Sequence, residues 1–140
     1  YKRQLLREIT VKEAMNPLPE PVGVDLRLDQ LKTLIYDRGF NSFPVVNASG
    51  RLEGILSLSD LKSAFTLGDD TLTAGDIATR RVVTVTGRES LLSALAKITA
   101  GDFAILPVVE RERPDELLGV ISRTDIMKAI NNVISKRSEG

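Results

Sequence analysis

The sequence contains no cysteine, no histidine and no tryptophan. Without a thiol there is neither a disulfide framework nor a thiolate nucleophile, which fits a reducing compartment. Without imidazole, histidine acid–base catalysis, the Ser-His-Asp and Cys-His arrangements and nearly every zinc site are excluded. Carboxylate-only catalysis and Mg²⁺ binding stay open. Aromatic residues are only 4% of the chain, too few for the stacking platforms that hold single-stranded nucleic acid. Neither sign of charge is in excess, with 19 Lys and Arg against 19 Asp and Glu, and the basic stripe of a nucleic-acid binder is missing. No apolar run approaches the roughly 20 residues that span a bilayer, and no signal-peptide pattern opens the chain, so a cytoplasmic location is expected. What is present is a globular composition over 140 residues, 42% apolar and 27% charged. That suffices for one ordinary domain or two very small ones. The missing residue types favour a binding or regulatory module over an enzyme.

The chain repeats itself. Gly54-Ile55-Leu56-Ser57-Leu58-Ser59-Asp60-Leu61 recurs as Gly119-Val120-Ile121-Ser122-Arg123-Thr124-Asp125-Ile126. Gly, Ser and Asp match outright, Ser59 and Thr124 are a hydroxyl pair, and Leu58 becomes Arg123. Upstream, Phe43-Pro44-Val45-Val46 recurs as Leu106-Pro107-Val108-Val109. The spacing between copies is 107 − 44 = 63 at the prolines and 119 − 54 = 65 at the glycines. The extra two residues fall in the charged, Pro114-containing loop 110–116, where an insertion is tolerated. Thr10–Met15 has a weaker echo in Thr73–Ala78. Two repeats fill the chain: residues 10–68 and 69–140, after an N-terminal tether, 1–9.

Both repeats read as β-α-β-β-α. Val22–Leu26 and Val82–Val85 are short β-branched strands. Leu28, Leu31, Leu34 and Ile35, like Leu91, Leu95 and Ile98, follow helical spacing. Gly39 and Gly101 then end those helices. Strands are expected at Phe43–Val46 and Leu52–Leu56, joined by the turn-rich Asn47–Gly50, and at Ile105–Val109 and Leu117–Ile121. Final helices start near Ser59 and Thr124. Pro17, Pro19 and Pro21 stiffen the approach to the first strand. The fold class is therefore α/β (α+β). A three-stranded unit this small buries little alone, so the two copies should pack together about a pseudo-twofold axis.

A Pro-Val-Val strand followed by a Gly-h-h-Ser-x-x-Asp turn into a helix, twice in this order, resembles the cystathionine-β-synthase (CBS) domain, and two in tandem resemble the CBS pair, or Bateman module. The resemblance covers roughly residues 10–131. It implies binding of an adenosine nucleotide (AMP, ADP or ATP) in clefts between the repeats, regulation of an attached protein, and pairing into a homodimer. Tyr1-Lys2-Arg3-Gln4-Leu5-Leu6 and the Leu106–Ile126 stretch further resemble the cytoplasmic tail of CLC-type chloride channels and transporters. That implies a membrane transport domain as partner and a position at the cytoplasmic face of the membrane. Magnesium transporters and inosine-monophosphate dehydrogenase are other hosts of such pairs.

On this resemblance, Asp60 and Asp125 can each accept the two vicinal hydroxyls of a ribose. Ser57, Ser59, Ser122 and Thr124 suit the adjoining phosphate together with backbone N–H groups, and Arg123 could grip that phosphate in two hydrogen bonds. The plain alternative for Ser-x-x-Asp is a helix cap, and the two readings can coexist because they use the same groups. Arg123 against Leu58 predicts stronger phosphate binding at Asp125 than at Asp60. Pro44, Pro107, Val22 and Val83 are core strand residues first, and their edges could wall an adenine pocket. Met15, matched by Ala78, reads as altered packing. Asp69 and Asp70 suit the linker between repeats better than a Mg²⁺ site, and Arg80-Arg81 and Arg111-Glu112-Arg113 suit solvated loops. No catalytic residue, metal or catalytic cofactor is expected. The rival reading is an assembly module whose nucleotide sites have decayed.

Overall fold

Along residues 1–39 and 42–139, which the computed structural model describes, short helices alternate with short strands. The order is α1 (Lys2–Glu8), α2 (Val11–Ala14), β1 (Val22–Gly23), α3 (Leu28–Arg38), β2 (Phe43–Val46), β3 (Leu52–Leu56), α4 (Leu58–Leu67), α5 (Ala74–Ile77), β4 (Val85–Thr86), α6 (Leu91–Gly101), β5 (Ile105–Val109), β6 (Leu117–Ser122) and α7 (Arg123–Glu139). The strands make two three-stranded sheets of the same design, β1-β2-β3 and β4-β5-β6. In each, the first pair is parallel and the second antiparallel. This is the α/β class expected from the repeats.

The chain forms two compact units, and their boundaries are not those of the sequence repeats. One unit joins Tyr1–Pro19 to Val83–Gly140, and the other is Glu20–Val82. The segment that leads each repeat is therefore housed with the sheet of the other repeat. In the first unit Val11, on α2, is buried with Val85, Leu91, Ile98, Leu106 and Ile121. In the second, Ala74, on α5, is buried with Val22, Leu31, Phe43, Val45 and Leu56. The residues 1–9 expected as a tether fold as α1, and Leu5 is fully buried in the core of the first unit.

Backbone pairing shows how the leading segments attach. Asn16 and Val120 exchange N–H···O bonds of 2.9 and 3.0 Å, and Thr79 and Ile55 exchange bonds of 2.8 and 2.9 Å. Each leading segment thus adds one paired residue to the outer edge of β6 or β3. The repeated glycines follow from this approach. A Cβ on Gly119 would lie 2.5 Å from the Asn16 carbonyl oxygen, and one on Gly54 would lie 2.9 Å from that of Thr79. The repeated prolines follow too. Pro44 faces Ile55 and Pro107 faces Val120, and those partners have turned their N–H and C=O groups outward to Thr79 and Asn16. The facing pairs are non-hydrogen-bonded, so neither proline is missed by β3 or β6. On the other side, pairing with β1 or β4 begins only at the next residue, Val45 or Val108, which is how a central strand tolerates a proline that has no N–H to give.

Several local expectations are corrected. The strand expected at Val82–Val85 is Val85–Thr86, because Val85 pairs with Val108 as Val22 pairs with Val45. Val22–Leu26 shortens to Val22–Gly23, after which the Leu26 N–H turns back onto the Gly23 carbonyl. Gly39 does close α3, with φ 77°. Gly101 does not close α6: it is the last helical residue, and Asp102 takes the left-handed position, φ 51° and ψ 45°. Gly101 instead leaves room for the ring of Phe103, which a Cβ would strike. The leading segments, unassigned from the sequence, are four-residue helices closed by capping boxes, Thr10 with Glu13 and Thr73 with Asp76.

Candidate functional site

Each unit presents one Ser-Asp pair where its last strand runs straight into a helix, β3 into α4 in the second unit and β6 into α7 in the first. In the second unit, Ser57 donates its N–H (2.9 Å) and its hydroxyl (2.8 Å) to Asp60 Oδ2, and the Asp60 N–H donates back to Ser57 Oγ (3.2 Å). In the first, Ser122 donates its N–H and hydroxyl to Asp125 Oδ2, both at 2.9 Å, and the Asp125 N–H returns a bond of 3.3 Å. Both pairs are capping boxes in geometry, so the cap reading holds for Oδ2 of both aspartates. A ligand could use only the other oxygen.

There the two anchors differ. Thr79 Oγ1 lies 3.2 Å from both Oδ1 and Oδ2 of Asp60. The residue in that place beside Asp125 is Asn16, which pairs with Val120 as Thr79 pairs with Ile55. Asn16 turns its side chain away and accepts the Leu18 N–H at Oδ1, 3.0 Å. Asp125 Oδ1 consequently has no hydrogen-bond partner among the described residues. Thr79 and Asn16 escaped the sequence reading because their relation to the aspartates arises from the exchange of leading segments.

The remaining expected residues divide into two groups. Ser59 and Thr124 are exposed on the first turns of α4 and α7. Ser59 Oγ lies 3.3 Å from Ser57 Oγ, whereas the Thr124 hydroxyl has no partner among the described residues. Arg123 is exposed and spends one guanidinium N–H on Thr99 Oγ1 of α6, at 3.2 Å, leaving four of its five donors for other groups. Leu58, its counterpart, is 48% exposed. By contrast Val22, Pro44 and Pro107 are buried strand residues. Val83 stands outside β4 and is exposed, since Val85 holds the position equivalent to Val22. Among the described residues, no group of three His, Cys, Asp or Glu side chains could hold a metal ion, and no helix is long and apolar enough to cross a membrane.

The duplicated sheet, the crossing segment and the paired Ser-Asp caps define a tandem α/β repeat protein. Over residues 11–66 and again over 74–132 the chain matches the CBS domain, and it belongs to that family. It is 28% identical over 127 residues to homoserine O-acetyltransferase of Methanosalsum zhilinae, covering 91% of this chain and 25% of that protein. The chain thus spans a quarter of the length of this relative. Among solved structures it resembles CBSX2 in complex with AMP, with a TM-score of 0.78 and 22% identity over 89% of this chain and 98% of that one. It also resembles the CBS domain pair of MJ0100 in complex with 5′-methylthioadenosine and S-adenosyl-L-methionine, with a TM-score of 0.73 and 22% identity over 88% and 96% of the two chains. These likenesses establish the fold.

Proposed function

We propose that this chain is a regulatory module that binds an adenosine compound at Asp125 and transmits occupancy to another protein. The observation that carries the reading is the open Oδ1 of Asp125, held rigid by the cap on its Oδ2. An ionised carboxylate oxygen at that place accepts a ribose hydroxyl in a charge-assisted bond. Arg123 and Thr124, on the same helical turn, supply donors for a phosphate. Support comes from the AMP, methylthioadenosine and adenosylmethionine bound by the two similar proteins. AMP, ADP and ATP are the ligands to try first. Asp60, already engaged by Thr79, acts chiefly as a helix cap and crossing-segment clamp.

The module performs no catalysis in this account, and the acetyltransferase activity named for the Methanosalsum protein is not carried over, because three quarters of that protein lie outside the match. The regulated partner is a polypeptide fused to, or docked on, the module. The chloride-transport host implied by the opening segment draws no support from the relatives described above. A ligand shifts such a partner only through unequal affinity for its two states, typically about 1–3 kcal/mol of coupling.

A thermal-shift series tests the reading. A ligand at a hundredfold excess over Kd adds about 2.7 kcal/mol to stability, so the Tm should rise more with AMP, ADP or ATP than with the matching guanosine or cytidine nucleotides. No rise with any adenosine ligand at millimolar concentration would favour the assembly module instead. The exposed Leu58, Phe65 and Leu67 of α4 and Met127 of α7 are the apolar residues such an assembly, a homodimer included, would use.

A further inference from the structure

Each unit has a cavity of about 290 Å³ at the end of its sheet away from the Ser-Asp cap. In the first unit Ser122 pairs with Ile105 at one end of β5, and the cavity lies beyond Val109 at the other. Four residue-to-residue steps along β5 separate them, roughly 13 Å. The two cavities occupy the same place in the duplicated fold and differ in charge. Asp25 and Ala48 line the one in the second unit. Arg88 and Arg111, 63 residues on, line the one in the first, where Lys12 joins them.

The backbone explains how Lys12 fits. Gly75 donates its N–H to the Val24 carbonyl at 2.8 Å, and in the duplicate Lys12 donates to the Gly87 carbonyl at 3.0 Å. The bond is conserved between the units while the glycine has changed sides. A Cβ on Gly75 would lie 3.1 Å from the Val24 oxygen, and one on Gly87 would lie 3.2 Å from Lys12 Cβ. Gly87 thus makes room for the lysine stem beside Arg88. Arg111 enters through the charged loop 110–116, whose base is held by the Glu110 N–H on the Glu116 carbonyl at 3.0 Å. Lys12, Arg88 and Arg111 have no ion-pair partner among the described residues. Glu110 is the one carboxylate lining the same cavity. Three cations against one anion leave an excess of positive charge over walls that include Met15, Val109 and Leu118.

We propose that this cavity of the first unit binds the phosphate group of a small molecule, as a second ligand site separate from Asp125. Two arginines and a lysine, all exposed, line a pocket with apolar walls, and guanidinium and ammonium donors beside such walls suit a phosphate or pyrophosphate joined to a small organic body. The second unit, with Asp25 in the place of Arg88, rejects the same group. This inference does not depend on nucleotide binding at Asp125.

Calorimetric titration of inorganic pyrophosphate into the whole chain tests it, and the second unit supplies the variant: Arg88→Asp with Arg111→Ala. Saturable binding by the wild type, weakened at least about tenfold in the double variant and unchanged in Asp125→Ala, is the expected result. An unaltered circular dichroism spectrum and Tm must accompany the loss. Should the charge reversal unfold the protein, Arg88→Gln with Arg111→Gln gives the same reading. Absence of saturable binding at millimolar pyrophosphate, equal affinity in the double variant, or loss in Asp125→Ala would overturn the proposal.

Discussion

Thr79 donates its hydroxyl to Asp60 with Oγ1 3.2 Å from each carboxylate oxygen, whereas Asn16, in the same place beside Asp125, spends its side chain on the Leu18 N–H. The duplication thus carries its own control. One aspartate is occupied from within the protein and the other has an oxygen to offer.

Replacing Thr79 by Val keeps its shape and removes the donor. Asp60 Oδ1 then becomes available, and the calorimetric stoichiometry for AMP should rise from one per chain toward two. The reciprocal Asn16→Thr places a hydroxyl beside Asp125 and should weaken AMP binding by about 1.5–3 kcal/mol, the worth of a hydrogen bond to a charged group. Unchanged stoichiometry in Thr79→Val and unchanged affinity in Asn16→Thr would remove Thr79 from the account.

The crossing segments make a graded prediction for glycine. Gly119→Ala forces a Cβ to 2.5 Å from the Asn16 oxygen and Gly54→Ala to 2.9 Å from the Thr79 oxygen. Both should destabilise by about 1–3 kcal/mol, Gly119→Ala more, because backbone must shift. Gly23→Ala meets nothing within 4 Å and should stay within about 0.5 kcal/mol of the wild type. Urea denaturation with a constant m value gives the ranking.

The duplication made most of the architecture legible. The strands Phe43–Val46, Leu52–Leu56 and Ile105–Val109 stand where alternation and turn residues put them, and the Ser-x-x-Asp pattern was readable as a cap. What was not legible is non-local. Periodicity over a window says nothing of which sheet a segment joins, so the attachment of Asn16 to Val120 and of Thr79 to Ile55 was invisible. Helices of four residues are too short to show a period of 3.6. Their capping boxes, Thr10 with Glu13 and Thr73 with Asp76, are the signal that could have found them. Val85 was missed as the true counterpart of Val22 because Val82, Val83 and Val85 are alike to a propensity argument, and only register separates them.

Acid should loosen the first unit through Glu89. This side chain accepts from Lys97 Nζ (2.8 Å), Ser93 Oγ (2.8 Å) and the Thr86 N–H (2.7 Å). Burial pushes its pKa up, and the bonds from Lys97, Thr86 and Ser93 together outweigh burial, leaving it below the ordinary 4.5. A lowered folded value means a contribution that is complete above the unfolded value and is lost as pH falls through the folded one. The wild-type Tm should therefore drop more steeply than that of Glu89→Gln once the pH falls below about 4.5. Parallel curves for the two proteins would contradict this role.

Removing either cap has a cost unrelated to ligand. Asp60→Ala and Asp125→Ala each delete an oxygen that holds Ser57 or Ser122, and each should lower stability by about 0.5–2 kcal/mol without ligand. Asp60→Ala also releases Thr79, so it should be the more costly of the two. Denaturation midpoints of the ligand-free variants decide the order.

The most direct measurement is the calorimetric titration of AMP into the wild type, Asp60→Ala and Asp125→Ala, each shown to be folded. The predicted result is one AMP per wild-type chain that saturating pyrophosphate does not displace, retained in Asp60→Ala and abolished in Asp125→Ala. Binding that survives in Asp125→Ala, or that disappears in Asp60→Ala alone, would contradict it.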